Sequence, residues 1–313
     1  MLNKYGRLRL SPDIVQNRNK VDNALMIYYN LSNKYIQKGD FMKRIIAFVL
    51  SAIMILCASS IGCYAEEWVV PAPDEYGFYD VGTTKIEYAV YGAEHEQALL
   101  IFTGNGGDMH GHDYNILPEM EKHYKVIVLS TRGTGNTALG TDKLTFELEA
   151  EDAAKLLDYL GIKTTYIYGF SDGGNLGIIF TLLYPERVTK LCVQSPNINI
   201  FGTKLKTQLQ IMWQYFILCI ECLYKTDPDF LRQREIKGMM AHQPNLRFKD
   251  LEQIQIPVLH IYAEKDMMYR THNKRIDKHI PDCQALMIED ATHTSTFEST
   301  ETIINPALIE FFG

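Results

Sequence analysis

The segment Tyr168-Gly-Phe-Ser-Asp-Gly-Gly174 sets a serine between glycines, directly after the apolar run Thr165–Tyr168 and directly before the helical pattern Asn175–Leu183. A strand that passes into a helix within so few residues makes a very tight turn. Side chains at Gly169 and Gly173 would clash there with the neighbouring strand and helix, so both positions call for glycine. Ser171 is left exposed at the helix N-terminus, where backbone N–H groups favour negative charge. A G-x-S-x-G step in this context reads as a nucleophile elbow.

The rest of the chain suits such a step. Thr84–Tyr91 alternates as an early strand, and Ala98–Phe102, Lys125–Leu129, Lys190–Gln194, Pro257–Tyr262 and Gln284–Ile288 are compact apolar runs. Runs of that kind fit strands buried on both faces by crossover helices, one of which spans Phe146–Leu160. The predicted fold class is therefore α/β, with a mostly parallel sheet and helices on both faces. Residues 197–250 hold no good strand and separate two strands by far more than an ordinary connection. They are expected to form a helical cap over the carboxyl ends of the strands, where open α/β sheets bind ligands.

Of the 313 residues, 46% are hydrophobic and 22% charged, the range of a globular chain able to bury a large core. Residues 1–65 carry nine Lys/Arg against three Asp/Glu, which leaves 66–313 with 22 basic and 35 acidic residues. So acidic a body is expected to bind no nucleic acid. Cys57 and Cys63 lie in the N-terminal segment; Cys192, Cys219, Cys222 and Cys283 lie in the body. Cys219-Ile-Glu-Cys222 has no second pair at zinc-site spacing and sits in an apolar run, which reads as buried structural cysteine, with a disulfide left open.

Met42-Lys-Arg, the apolar core Ile45–Leu56 and the small residues up to Ala65 have the layout of a secretory signal. Cleavage is expected after Ala65, and Ile45–Ile61 would serve as a marginal anchor if the segment stays uncut. The body is thus expected to be extracytoplasmic, secreted or tethered, with any membrane contact made through residues 42–65. A signal belongs at the start of a chain. The tract Lys38-Gly-Asp-Phe-Met42 can be encoded as AAA GGA GAT TTT ATG, a bacterial ribosome-binding sequence just ahead of a start codon. Residues 1–41 are accordingly expected to be translated upstream DNA, with Met42 the true start; the N-terminal mass of the precursor checks this.

From Val81 to Phe312 the chain resembles the α/β-hydrolase superfamily, and Gly169-Phe-Ser-Asp-Gly-Gly174 looks like the elbow of esterases related to valacyclovir hydrolase. The resemblance implies an oxyanion loop at Thr103-Gly-Asn-Gly-Gly107, where Thr103 replaces the usual His. It aligns Ser130-Thr-Arg-Gly-Thr-Gly-Asn-Thr137 with D-x-R-G-x-G-x-S, where Ser130 replaces the Asp. It also places the acid at Asp266, after the strand beginning at Pro257, with Glu264 the nearest competitor. The base falls at His293, after the last strand, in the order Ser, acid, His that the fold requires.

These positions imply a serine hydrolase acting on an ester, thioester or amide carbonyl of a small, partly apolar substrate. Ser171 is the nucleophile, His293 the base, Asp266 the acid, and the N–H groups of Asn105 and Asp172 the oxyanion donors. No cofactor or metal is implied. Asp108-Met-His-Gly-His-Asp113 has the look of a metal cluster, but no distant partner motif joins it. Met212, Trp213, Tyr215, Phe216 and Ile217 read as an acyl-pocket lining or as the interior of a cap helix. Three alternatives stay open: an aminopeptidase of the proline iminopeptidase type, carbon–carbon bond hydrolysis by the same triad, and a non-catalytic ligand binder on the same fold.

Overall fold

The computed structural model describes Val70–Gly313. The expectations for residues 1–41 and 42–65, including cleavage after Ala65, lie outside the described residues. Eight strands form one sheet: β1 (Glu75–Asp80), β2 (Lys85–Tyr91), β3 (Ala98–Phe102), β4 (Lys125–Ser130), β5 (Thr165–Phe170), β6 (Val188–Gln194), β7 (Val258–Lys265) and β8 (Cys283–Thr292). Their spatial order is β1-β2-β4-β3-β5-β6-β7-β8. The pairs β1/β2 and β2/β4 are antiparallel, and every pair from β4 to β8 is parallel.

Why the central strands are apolar throughout is plain in β3. Leu100 and Phe102 enter the core on one face of the sheet, while Leu99 and Ile101 enter the core on the other. The first face is covered by α2 (Phe146–Tyr159), α3 (Asp172–Leu183) and α6 (Arg270–His279); the second by α1 (Leu117–Met120) and α7 (Asn305–Phe312). Helix α2 begins at Thr145, whose side chain accepts the Leu148 N–H at 3.1 Å, with Glu147 and Glu149 in the first turn.

The cap leaves the sheet after β6 and carries two helices packed on each other, α4 (Leu205–Glu221) and α5 (Pro228–His242). Its base is closed by antiparallel bridges from Asn199 to Asn245 and from Thr203 to Met268. Helix α5 turns Ile236 and Met240 toward the sheet. The outer part of α4 does the opposite. Met212, Trp213, Phe216 and Ile217 are exposed and form neither a pocket lining nor a cap interior, whereas half-buried Tyr215 packs against His242 of α5.

Two buried histidines make the fold acid-sensitive. His112 is pushed down to about 4 by burial, only partly offset by its hydrogen bond to Asn115. His272 is pushed down to about 4 by burial, with the charges of His260 and Arg275 adding to the shift. Between pH 6.5 and 4 the unfolded chain takes up a proton at each residue and the folded chain does not. The stability these two groups contribute is therefore full above pH 6.5 and falls as the pH drops toward 4. At pH 5 each histidine is expected to cost about 2 kcal/mol. Glu149, pushed up to about 8 by burial, changes in the opposite sense over this range, so the check is a comparison of variants. From pH 7 to pH 5, urea melts are expected to show about 2 kcal/mol more loss in the wild type than in His272→Gln.

Candidate active site

Four strand ends build the site. Ser171 follows β5, Asp266 follows β7, His293 follows β8, and the loop holding Asn105 follows β3. Ser171 has φ 56° and ψ −118°, a conformation costing about 1–3 kcal/mol that only rigid surroundings maintain. Here its N–H donates to the Gln194 carbonyl at 2.8 Å, and its carbonyl accepts the Asn175 N–H at 3.0 Å.

The turn is as tight as the motif requires. A Cβ on Gly169 would lie 2.1 Å from the Gly173 carbonyl oxygen, and one on Gly173 would lie 2.4 Å from that of Phe102. Both obstacles are backbone, so no side-chain rotation relieves them. Gly173→Ala is expected to push the elbow away from the end of β3 at a cost of about 3 kcal/mol or more. A fall of more than about 10 °C in Tm, or loss of soluble protein, is the expected outcome.

His293 Nε2 lies 3.0 Å from Ser171 Oγ, and its Nδ1 lies 2.7 Å from Asp266 Oδ1. Ionised Asp266 can only accept, so Nδ1 carries the proton and Nε2 offers its lone pair to the serine hydroxyl. Asp266 is buried, which by itself would raise its pKa. The hydrogen bond and charge of His293, the Ser195 hydroxyl and the Met268 N–H outweigh burial and hold it below the ordinary value. Glu264 is turned elsewhere, accepting the Asp290 N–H at 3.0 Å.

Several supports escaped sequence reasoning. Ser195 Oγ donates to Asp266 Oδ2 at 2.5 Å. Gln194 accepts from the Tyr168 hydroxyl at 2.7 Å and donates to Thr296 Oγ1 at 2.9 Å; Thr296 in turn donates to the His293 carbonyl at 3.1 Å. Phe170, the variable residue of the motif, packs against His293 with ring centroids 5.0 Å apart. Apart from the local Thr296 bond, these contacts have no local sequence signal, because each joins side chains from separate strand ends.

The Thr103–Gly107 loop is closed by its own hydrogen bonds. Thr103 Oγ1 donates to the Gly107 carbonyl at 2.9 Å, and the Gly107 N–H returns to the Gly104 carbonyl at 2.9 Å. Among the described residues, the N–H groups of Asn105 and Asp172 donate to no protein acceptor. Their side chains are not interchangeable: Asn105 Nδ2 donates to Asp172 Oδ2 at 2.9 Å and ties the loop to the elbow. Burial raises the Asp172 pKa against this bond and one from Asn175. Glu149 lines a small chamber with Asp172 and is pushed up to about 8 by burial, chiefly opposed by the Thr131 hydroxyl.

Where Ser130 replaces the family's aspartate, a carboxylate arrives from β2. Glu87 Oε2 accepts from Ser130 Oγ and the Asn136 N–H, both at 2.8 Å. Burial alone would raise Glu87; the Asn136, Ser130 and Tyr76 donors bring it below its ordinary value. Arg132 is fully buried and paired with Asp152 of α2 at 2.6 Å. His110 Nδ1 meets Asp113 Oδ2 at 2.9 Å and His112 Nδ1 meets Asn115 Oδ1 at 2.8 Å. No group of three or more His, Cys, Asp or Glu side chains able to hold a metal occurs among the described residues. Cys192, Cys219, Cys222 and Cys283 are free thiols, Cys192 fully buried.

An open cavity of about 310 Å³ lies over Ser171 and His293. Phe170, Met240, Met267 and Phe297 give it apolar walls, and Thr103, Asn105 and His112 add polar groups.

A family model described as the alpha/beta hydrolase fold matches residues 97–216. A hydrolase from Pseudomonas aeruginosa PA01 superposes with a TM-score of 0.63 at 20% identity, over 77% of this chain and 99% of that one. The chain has the α/β-hydrolase fold. A Bacillus subtilis (strain 168) protein provisionally assigned as a 2-succinyl-6-hydroxy-2,4-cyclohexadiene-1-carboxylate synthase is 25% identical, over 67% of this chain and 89% of its own. A Caulobacter sp. (strain K31) protein provisionally assigned as the carbamate hydrolase RutD is 32% identical, over 32% of this chain and only 38% of its own length.

Proposed function

We propose that this protein is a serine hydrolase that cleaves an ester, thioester or amide carbonyl in a small, partly apolar substrate. The observation that carries the reading is the unbroken relay from Asp266 through His293 to Ser171, set on a strained elbow beneath an apolar-walled cavity. His293 Nε2 takes the Ser171 proton as Oγ attacks the carbonyl carbon. The oxyanion so formed lies within reach of the Asn105 and Asp172 N–H groups, which need no rearrangement to meet it. His293 then returns the proton to the leaving group, and an acyl-enzyme remains for water to hydrolyse by the same steps in reverse.

The 3.0 Å contact between Ser171 and His293 argues against a non-catalytic binder. The provisional naming of the Caulobacter relative as a carbamate hydrolase agrees with a carbonyl substrate. Turnover of p-nitrophenyl esters tests the reading. Activity is expected to rise from acetate to acyl chains of about four to six carbons and to fall for longer ones, because the cavity is near the small end of ligand sites. Rates equal to the buffer blank across the series, from folded protein, would sink the proposal. An extracytoplasmic location remains part of it, tested by whether the mature N-terminus begins at Glu66.

A further inference from the structure

We infer that the outer face of helix α4 docks on the surface of a neutral phospholipid bilayer, a role that goes beyond the hydrolytic site. Of the seventeen large apolar side chains exposed among the described residues, ten fall between Phe201 and Tyr224. On α4 they follow one line at helical spacing: Leu205, Leu209, Met212, Trp213, Phe216 and Ile220. Trp213 is 63% exposed, Leu209 56% and Phe216 51%. The face toward α5 is a different one, carrying Gln208, Ile211, Tyr215 and Leu218. The helix is thus apolar on two sides, and one side meets only solvent. A contiguous exposed stripe of this kind marks a contact surface.

Charge selects the occupant. No acidic residue lies between Leu205 and Ile220, and Lys204 and Lys206 stand exposed at the start of the stripe. The acid at its far end, Glu221, is already bonded to Lys225 at 2.8 Å. A second copy of the chain would bring these lysines no free carboxylate from its own stripe. Lipid phosphates would accept their N–H groups while the side-chain stems lie along the acyl region. Tryptophan, phenylalanine and leucine on one face with lysine at its edge is the composition of a helix lying in a bilayer interface. The acidic remainder of the body disfavours strongly anionic lipid, so a neutral, zwitterionic surface is the partner.

The chain outside the described residues points the same way. Only Gly62–Val69 separates the apolar run Ile45–Ile61 from the body, and eight extended residues reach about 29 Å at most. If that run stays uncut and serves as the anchor expected of it, the body is tethered within this reach of a membrane surface.

The two tryptophans, Trp68 and Trp213, supply the test. In the full chain, Trp68→Phe leaves Trp213 as the sole reporter. With phosphatidylcholine vesicles its emission is expected to shift to the blue. With brominated phosphatidylcholine it is expected to be quenched by about half or more, the depth of an interfacial helix. Adding Leu209→Glu and Phe216→Glu is expected to restore water-exposed, unquenched emission with an unchanged far-UV CD spectrum. Trp213 emission indifferent to brominated lipid would overturn the inference. So would a blue shift without vesicles that tracks dimer formation in sedimentation equilibrium, which would assign the stripe to a second copy. Since fluorescence is read, failure here is independent of whether Ser171 is a nucleophile.

Discussion

Ser171→Ala is expected to lower kcat for the preferred p-nitrophenyl ester by about five to six powers of ten, with KM changed no more than a few-fold. Among the described residues the hydroxyl makes one hydrogen bond, at 3.0 Å to His293, so its removal disturbs little besides the reaction. Backbone around it is fixed by the Gln194 carbonyl and the Asn175 N–H, which alanine keeps. Alanine still has to adopt φ 56°, as serine does, so the Tm is expected to stay within a few degrees. The residual rate, above that in water, would come from the Asn105 and Asp172 N–H groups and the cavity walls. Labelling by a fluorophosphonate probe is expected to vanish completely. A variant that kept labelling, or lost less than about tenfold in kcat, would move the nucleophile elsewhere and undo the proposed mechanism.

The parts of this protein that were legible in its sequence are those where one physical demand acts alone. β3 reads at both ends, Ala98 and Phe102, because burial on two faces permits only apolar residues and its neighbours are turns. β1 gave no such signal: it is an edge strand, and Tyr76 and Phe78 are exposed. Helix α6 was missed for the opposite reason, being so polar that few apolar residues mark its buried side. The elbow was readable because backbone packing at Gly169 and Gly173 excludes every other residue.

Elsewhere two demands compete and the sequence shows only their sum. Met212, Trp213 and Phe216 look like interior residues, yet the cap has a single layer of two helices and α4 has more apolar surface than α5 can cover. Glu87 replaces the carboxylate lost at Ser130 from a strand more than forty residues earlier, a compensation that is spatial and leaves no local motif. The Asn105–Asp172 side-chain bond is of the same kind.

Removing the carboxylate of the relay should separate orientation from charge. Asp266→Ala is expected to reduce kcat/KM by about four powers of ten. It deletes the acceptor that holds the His293 Nδ1 proton and the charge that balances the imidazolium formed as serine attacks. It also strands the Ser195 hydroxyl and the Met268 N–H, which now donate to that carboxylate. Asp266→Asn poses a sharper question. If the amide oxygen takes the place of Oδ1, it still accepts from His293 Nδ1 and from the Met268 N–H at 3.3 Å. The amide nitrogen then faces Ser195, whose hydroxyl can reverse and accept. This placement keeps the imidazole tautomer, so the main losses are the charge and the weak 3.4 Å bond from the Ala263 N–H to Oδ2. Asp266→Asn is therefore expected to be milder than Asp266→Ala by about tenfold, and Asp266→Asn with Ser195→Ala to fall back to the alanine level. Burst kinetics with a p-nitrophenyl ester read the acylation rate of each variant directly. Equal losses in Asp266→Asn and Asp266→Ala would show that charge alone matters and that Ser195 plays no part in setting the tautomer.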